Sequence, residues 1–245
     1  MKNKIIKWIK GEVSKAKAKG IVIGLSGGID SCVAAALARQ AVGTKKLLCL
    51  IIPCQSSASD LRDAKAFAKK FSIRARLVDL SGLYNNLIKI LPAAGNLARN
   101  NLKPRLRMAT LYYFANKYNY LVCGTGNKSE INVGYFTKFG DGGVDILPLG
   151  DLYKMQVVKL AQELGIPERI IAKPPTAGLW PGQTDEGEMG IRYAQLDDIL
   201  WRLENHHPQI AAREKVRKVK AMATNSGHKR QGPKICYVHA GGKNG

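Results

Sequence analysis

An aspartate stands where a phosphate-binding turn ordinarily carries a lysine. In GIVIGLSGGIDSCVAAALARQ, residues 20–40, Ser26, Gly27, Gly28, Asp30 and Ser31 crowd the turn between a strand-like run and a helical one. A helix N-terminus presents unpaired N–H groups and a positive partial charge, so it suits an anion. The turn matches neither G-x-x-x-x-G-K-[ST] nor G-x-G-x-x-G. An acid beside a phosphate makes sense when a divalent cation joins the two, because magnesium takes a few carboxylate oxygens together with phosphate oxygens. The clusters PCQSSASD (53–60) and GTGNKSE (124–130) also follow strand-like runs. If the fold brings Asp30 and Glu130 to one point, they form a magnesium pair. Taken alone, Asp30 also reads as a first-turn acid favouring the helix dipole, and Glu130 as a surface acid.

The elements that must position these residues are legible from apolar periodicity. Near-continuous apolar runs at 21–26, 46–52, 73–79 and 119–125, with a shorter one at 144–149, read as strands. Helical patterns occupy 29–42, 59–71, 83–91, 97–117, 153–165, 190–204 and about 208–223. Apolar strands alternating with helices predict an α/β fold, an open parallel sheet with helices on both faces. In such sheets ligands bind beyond the carboxyl ends of the strands, where the three polar clusters fall. No repeat or low-complexity linker interrupts the pattern, so residues 1–245 read as a single domain. The glycine- and proline-rich stretch KPPTAGLWPGQTDEGEMG, 173–190, reads as a lid over the site.

The 245 residues are 45% hydrophobic, and no apolar run reaches the roughly 20 residues of a membrane span. The lysine-rich start carries Ile5, Ile6, Ile9 and Val13 at amphipathic helix spacing rather than a signal-peptide core. Five cysteines form no C-x-x-C pair, which predicts a reduced, cytoplasmic protein without structural zinc. The net charge of +21 attracts polyanions, and much of it lies in 2–19 and 213–243. Aromatic residues are sparse in those segments, so nucleic acid is not expected as a partner despite the charge.

SGGIDS resembles the signature loop of the ATP pyrophosphatases, which cleave ATP between its α and β phosphates. NLKPRLRM (101–108), GTGNKSE, GYFTKFGDGGVDILPLGDLYK (134–154), the 173–190 stretch and HKR (228–230) resemble, in order, motifs of the ammonia-dependent NAD synthetases within that superfamily. Pro104 departs from the small residue more frequent there. The resemblance implies a Rossmann-like fold of the adenine nucleotide alpha hydrolase type. It implies ATP and Mg2+, and amidation of deamido-NAD with ammonia through an acyl-adenylate, giving NAD, AMP and pyrophosphate. It assigns Gly24, Leu25, Ser26, Gly27, Gly28, Ile29, Asp30, Ser31, Thr125, Lys154 and Thr176 to ATP, and Asp30 and Glu130 to the metal. Arg105, Lys138, Asp145, His228 and Lys229 match deamido-NAD contacts. Asp141 matches an acid near the ammonia site, and it and Lys154 are the catalytic candidates. Family members are homodimers whose substrate site draws on both subunits.

Two other readings compete on the residues. A tRNA-thiolating pyrophosphatase would suit the charge, but sulfur transfer commonly uses paired cysteines. A nucleotide sensor without activity has no need of two acids and a lid. A single helix precedes the first strand and none of Cys32, Cys49, Cys54 and Cys123 is placed as a glutaminase nucleophile, so free ammonia is the expected nitrogen donor. A separate glutaminase subunit stays open as its source.

Overall fold

The computed structural model describes residues 1–180, 182–236 and 238; Pro181, within the expected lid, lies outside them. Among the described residues, four strands form one parallel sheet: β1 (Gly20–Gly24), β2 (Leu47–Ile51), β3 (Ala75–Leu77) and β4 (Tyr120–Cys123). Their order is β3-β2-β1-β4. The register pairs Ile21 with Leu47 on one side and with Leu121 on the other.

Side chains alternate across a strand, so each strand feeds two cores. Ile21, Ile23, Cys49, Ile51 and Cys123 face one, packed beneath α1 (Lys2–Lys15), α2 (Ile29–Val42), α3 (Ala58–Lys70) and α8 (Lys154–Glu163). Val22, Leu48, Leu50 and Val122 face the other, against α4 (Ser81–Ile90) and α6 (Leu102–Tyr118). Burial on both faces accounts for near-continuous apolar strands. A third cluster joins Val133 of α7 (Lys128–Val133) to α11 (Tyr193–Glu204) and α12 (Arg213–Asn225).

The helix expected over 97–117 is broken into α5 (Asn96–Asn100) and α6, with Asn101 between them. Proline lacks an N–H and is accommodated in a first turn, where amides have no intrahelical partner. A helix beginning at Leu102 places Pro104 there. The short strand expected at 144–149 contributes only a bridge between Ile146 and Cys123. The Asp145 carboxylate accepts the Val122 N–H at 2.7 Å, taking a donor that a longer strand would have paired. Three short helices escaped the periodicity altogether: α7, α9 (Glu168–Ile171), and α10 (Asp185–Met189) inside the expected lid. No helix among the described residues is long and apolar enough to cross a membrane.

Candidate active site

The chain runs outward from β1 to β2 and β3, then returns to lay β4 on the other side of β1. A crevice therefore opens between the carboxyl ends of β1 and β4, the place where open α/β sheets bind ligands. The loops that leave those two strands carry SGGIDS and GTGNKSE. A cleft of about 390 Å³ lies over them.

The first loop is built by short side chains and a glycine. The Ser26 and Ser31 hydroxyls lie 3.0 Å apart, Ser31 Oγ donates to the Gly28 carbonyl, and the Gly28 N–H donates to Ser26 Oγ. Gly27 has φ +87°, and a Cβ there would stand 2.5 Å from the Asp60 carbonyl oxygen. Only glycine fits that position. The turn leads into the N-terminus of the 14-residue α2, so its positive end faces the cleft.

The second loop folds as a capping box. The Asn127 side chain accepts the Glu130 N–H, and the Glu130 carboxylate accepts the Asn127 N–H. Asn127 also donates from Nδ2 to Asp30 Oδ1 at 3.0 Å, which ties the two loops together. Lys154, first residue of α8, places its buried ammonium between the acids, 2.5 Å from Asp30 Oδ2 and 3.7 Å from Glu130 Oε1. Asp30 and Glu130, a hundred positions apart in the chain, thus converge on one cation.

The electrostatics favour more positive charge than Lys154 supplies. Burial and then the Asp30 charge push the Glu130 carboxyl well above the usual carboxylate range. Asp185, from α10, is buried nearby; burial raises its pKa, against the Lys154 charge and a hydrogen bond from Tyr193. Tyr193 donates to Asp185 Oδ2 at 3.1 Å, reaches Glu130 Oε1 at 3.4 Å, and lays its ring beneath the Lys154 ammonium. Two carboxylates aimed at one point, with too little positive charge beside them, are a donor set that fits magnesium completed by phosphate oxygens and water.

The other expected residues divide into two groups. Thr125, Asp141, Thr176 and Lys229 line the cleft with the SGGIDS loop. The Asp141 carboxylate accepts the Thr137 N–H at 2.9 Å; protein crowding around it raises its pKa, although water still reaches the residue. Lys229 donates to the Gly134 and Phe136 carbonyls, and desolvation lowers its pKa. Arg105, Lys138, Asp145 and His228 are not among the residues lining the cleft. Arg105 donates to the Lys138 carbonyl, and Lys138 donates to the carbonyls of His228 and Gln231. Asp145, besides its Val122 bond, accepts from Tyr112 at 2.9 Å.

Three cationic residues were missed. Arg107 braces the 53–60 loop through the Ile52 carbonyl and Ser56 Oγ. Lys103 is buried and donates to the Leu179 carbonyl. Lys173 pairs with Asp60 at 2.5 Å and Asp63 at 2.9 Å. The last two tie the 173–190 segment to the body of the molecule. A lone basic residue has no periodic signal; only the quoted motifs around Lys103, Arg107 and Lys173 pointed near them.

Known proteins resemble this chain over nearly its whole length. The family model described as NAD synthase matches residues 1–233. The NH(3)-dependent NAD(+) synthetase of Syntrophomonas wolfei is 45% identical over 243 residues, covering 96% of this chain and 95% of that protein. Among solved structures, the NMN synthetase of Francisella tularensis is 36% identical with a TM-score of 0.88, covering 96% of both chains. The NH3-dependent NAD synthetase of Campylobacter jejuni, in complex with the nitrate ion, is 27% identical with a TM-score of 0.84, covering 96% of this chain and 97% of that one.

Proposed function

The chain belongs to the NAD synthase family, and from that premise we propose that it amidates deamido-NAD with ammonia at the expense of ATP. The observation that carries the reading is the meeting of Asp30, Glu130 and Lys154 beside the N-terminus of α2. That arrangement suits a reaction in which negative charge moves from a carboxylate onto phosphate and then onto a departing pyrophosphate.

A carboxylate resists attack by ammonia because oxide is a poor leaving group. In the first step the nicotinate carboxylate oxygen bonds to the α-phosphorus of ATP, and the bond from that phosphorus to the bridging oxygen breaks. The acyl-adenylate stays, and pyrophosphate leaves with the electron pair. Residues 24–31 and the α2 N-terminus hold the phosphates with Thr125 and Thr176, and Lys154 faces the charge that develops. Mg2+, held by Asp30 and Glu130, would offset charge on the phosphates. In the second step ammonia bonds to the carbonyl carbon, AMP leaves, and the surplus proton goes to Asp141, whose raised pKa suits an acceptor. Arg105, Lys138, Asp145, His228 and Lys229 are assigned to deamido-NAD. Residues 1–245 act as one ATP-pyrophosphatase domain, in the cytoplasm. Leu83, Ile90, Leu97 and Tyr113, exposed on α4, α5 and α6, support a homodimer that covers them.

A second reading is favoured by the likeness to an NMN synthetase. The same chemistry on nicotinate mononucleotide would give NMN. The test incubates the chain with ATP, magnesium and 15N-ammonium, with deamido-NAD in one arm and nicotinate mononucleotide in the other. Mass spectrometry is expected to find 15N-labelled NAD, AMP and pyrophosphate in the first arm. Faster labelling of NMN selects the second reading; ADP with free phosphate in place of AMP overturns both. Glutamine as sole nitrogen source is expected to give no NAD, because burial pushes up the thiols of Cys32, Cys49, Cys54 and Cys123.

A further inference from the structure

Lys154 is held in place by a carboxylate that does not line the cleft. Asp197, in the middle of α11, is 7% exposed. Its Oδ2 accepts the Met155 N–H at 2.9 Å, and its Oδ1 accepts the Ser129 hydroxyl at 2.5 Å. Ser129 is fully buried, and its Oγ in turn accepts the Lys154 N–H at 2.9 Å. One carboxylate thus secures the first two amides of α8, one directly and one through a serine of α7. These amides have no partner inside their own helix, and an anion at that end opposes the helix dipole favourably. Lys154 and Met155 begin α8, while Ser129 precedes Glu130 on α7. The polar chain therefore sets the distance between the two helix starts that present Lys154 and Glu130 to the cleft.

The rest of α11 reinforces the same clamp. At its C-terminal end Glu204 accepts from Tyr153 at 2.6 Å and from Lys128 at 2.7 Å, the residues just before Lys154 and Ser129. At its start Tyr193 touches Glu130 and Asp185. A helix with no residue lining the cleft grips both elements that carry the reacting charges. Reaction rates are steeply sensitive to such placement, since an ångström of misplacement costs about a hundredfold.

We propose that Asp197 is a positioning residue for adenylyl transfer, acting through Ser129 and the first turn of α8 to hold the Lys154 ammonium against Asp30 and Glu130. This rests on the function proposed above.

Ser129→Ala removes the link to the Lys154 amide while leaving the Asp197 bond to Met155. Asp197→Asn keeps the size but removes the charge and replaces one of the two accepting oxygens with a donating NH2, and Asp197→Ala removes both acceptors. Steady-state kinetics with ATP, magnesium, deamido-NAD and ammonium are measured beside thermal unfolding. The expected result is a fall in kcat of about tenfold for Ser129→Ala and about a hundredfold for Asp197→Ala, with the KM for ATP within about twofold of the parent chain. Asp197→Asn falls between parent and Asp197→Ala. A merely structural Asp197 would lower the unfolding temperature and leave kcat per folded molecule unchanged, and that result overturns the proposal. So does a loss confined to KM. If Asp197→Ala does not fold, Ser129→Ala decides alone, by the same kcat criterion. Activity of the parent chain separates the two readings: a parent that makes no NAD refutes the function, whereas an active parent with unchanged variants refutes only the role of Asp197.

Discussion

Lys154→Met removes the buried cation between two acids, and the structure sets the scale of the damage. At an effective dielectric constant of about 20, unit charges separated by 2.5 Å attract by about 7 kcal/mol, and the 3.7 Å contact with Glu130 adds about 4.5 kcal/mol only where Glu130 is ionised. Desolvation of the buried ions offsets most of this. Breaking such a pair from one side costs about 3–5 kcal/mol. Glu130 adds little to the loss near neutral pH, because burial and Asp30 push its pKa to about 8 even with Lys154 in place, so its carboxyl is already largely protonated there. Near neutral pH one unpaired carboxylate then remains, Asp30, still held by Asn127, and the cost sits near the lower figure, about 3 kcal/mol. For a chain of this size that lowers the unfolding temperature by roughly 6–12 °C.

The pH dependence follows from the direction of the Glu130 shift. Its folded-state pKa lies above its unfolded value of 4.5, so its contribution is complete below 4.5 and is lost as pH rises through about 8. Without Lys154 the folded value rises further, and the deficit at pH 9 should exceed that at pH 6. Urea unfolding of parent and variant in EDTA, without nucleotide, at both pH values checks this. Asp30→Asn added to Lys154→Met should recover part of the loss. Equal stability of Lys154→Met and parent at pH 9 would refute the idea that Lys154 compensates this acid pair.

Asp30→Asn should leave the chain folded, though with a lower unfolding temperature because the buried Lys154 ammonium loses its partner at 2.5 Å, and should remove most adenylation, because a neutral amide is a poorer magnesium ligand; pyrophosphate release per folded molecule at saturating magnesium is the measurement. Gly27→Ala should raise the KM for ATP and cost about 1–3 kcal/mol of stability, since its φ of +87° and the nearby Asp60 carbonyl both oppose a Cβ; urea titration and initial rates report each effect. Residues 173–190 should gain amide protection when ATP and deamido-NAD bind, although Lys173 and Lys103 already anchor the segment at α3 and α6; unchanged hydrogen exchange would remove the lid assignment.

Composition and periodicity determined the layers of this protein. The apolar runs around β1, β2 and β4 are buried on both faces, and that requirement shows directly as unbroken hydrophobicity. The start of α2 was equally legible, because the residues that build a phosphate turn are local to it. The family and the chemistry came from motif resemblance, since periodicity is blind to substrate. Only tertiary structure joined Asp30, Asn127, Glu130 and Lys154, because their meeting depends on β4 returning to lie beside β1. The strand expected at 144–149 failed for a related reason: the Asp145 side chain takes the Val122 amide, and no pattern in the sequence announces which backbone donor a carboxylate will accept. Asp197 is the extreme case. On α11 it follows the apolar Leu196 and precedes another acid, and nothing local distinguishes the two aspartates. Its assignment rests on three helices packed so that one carboxylate reaches the open ends of two others, a geometry that exists only once the cores have formed.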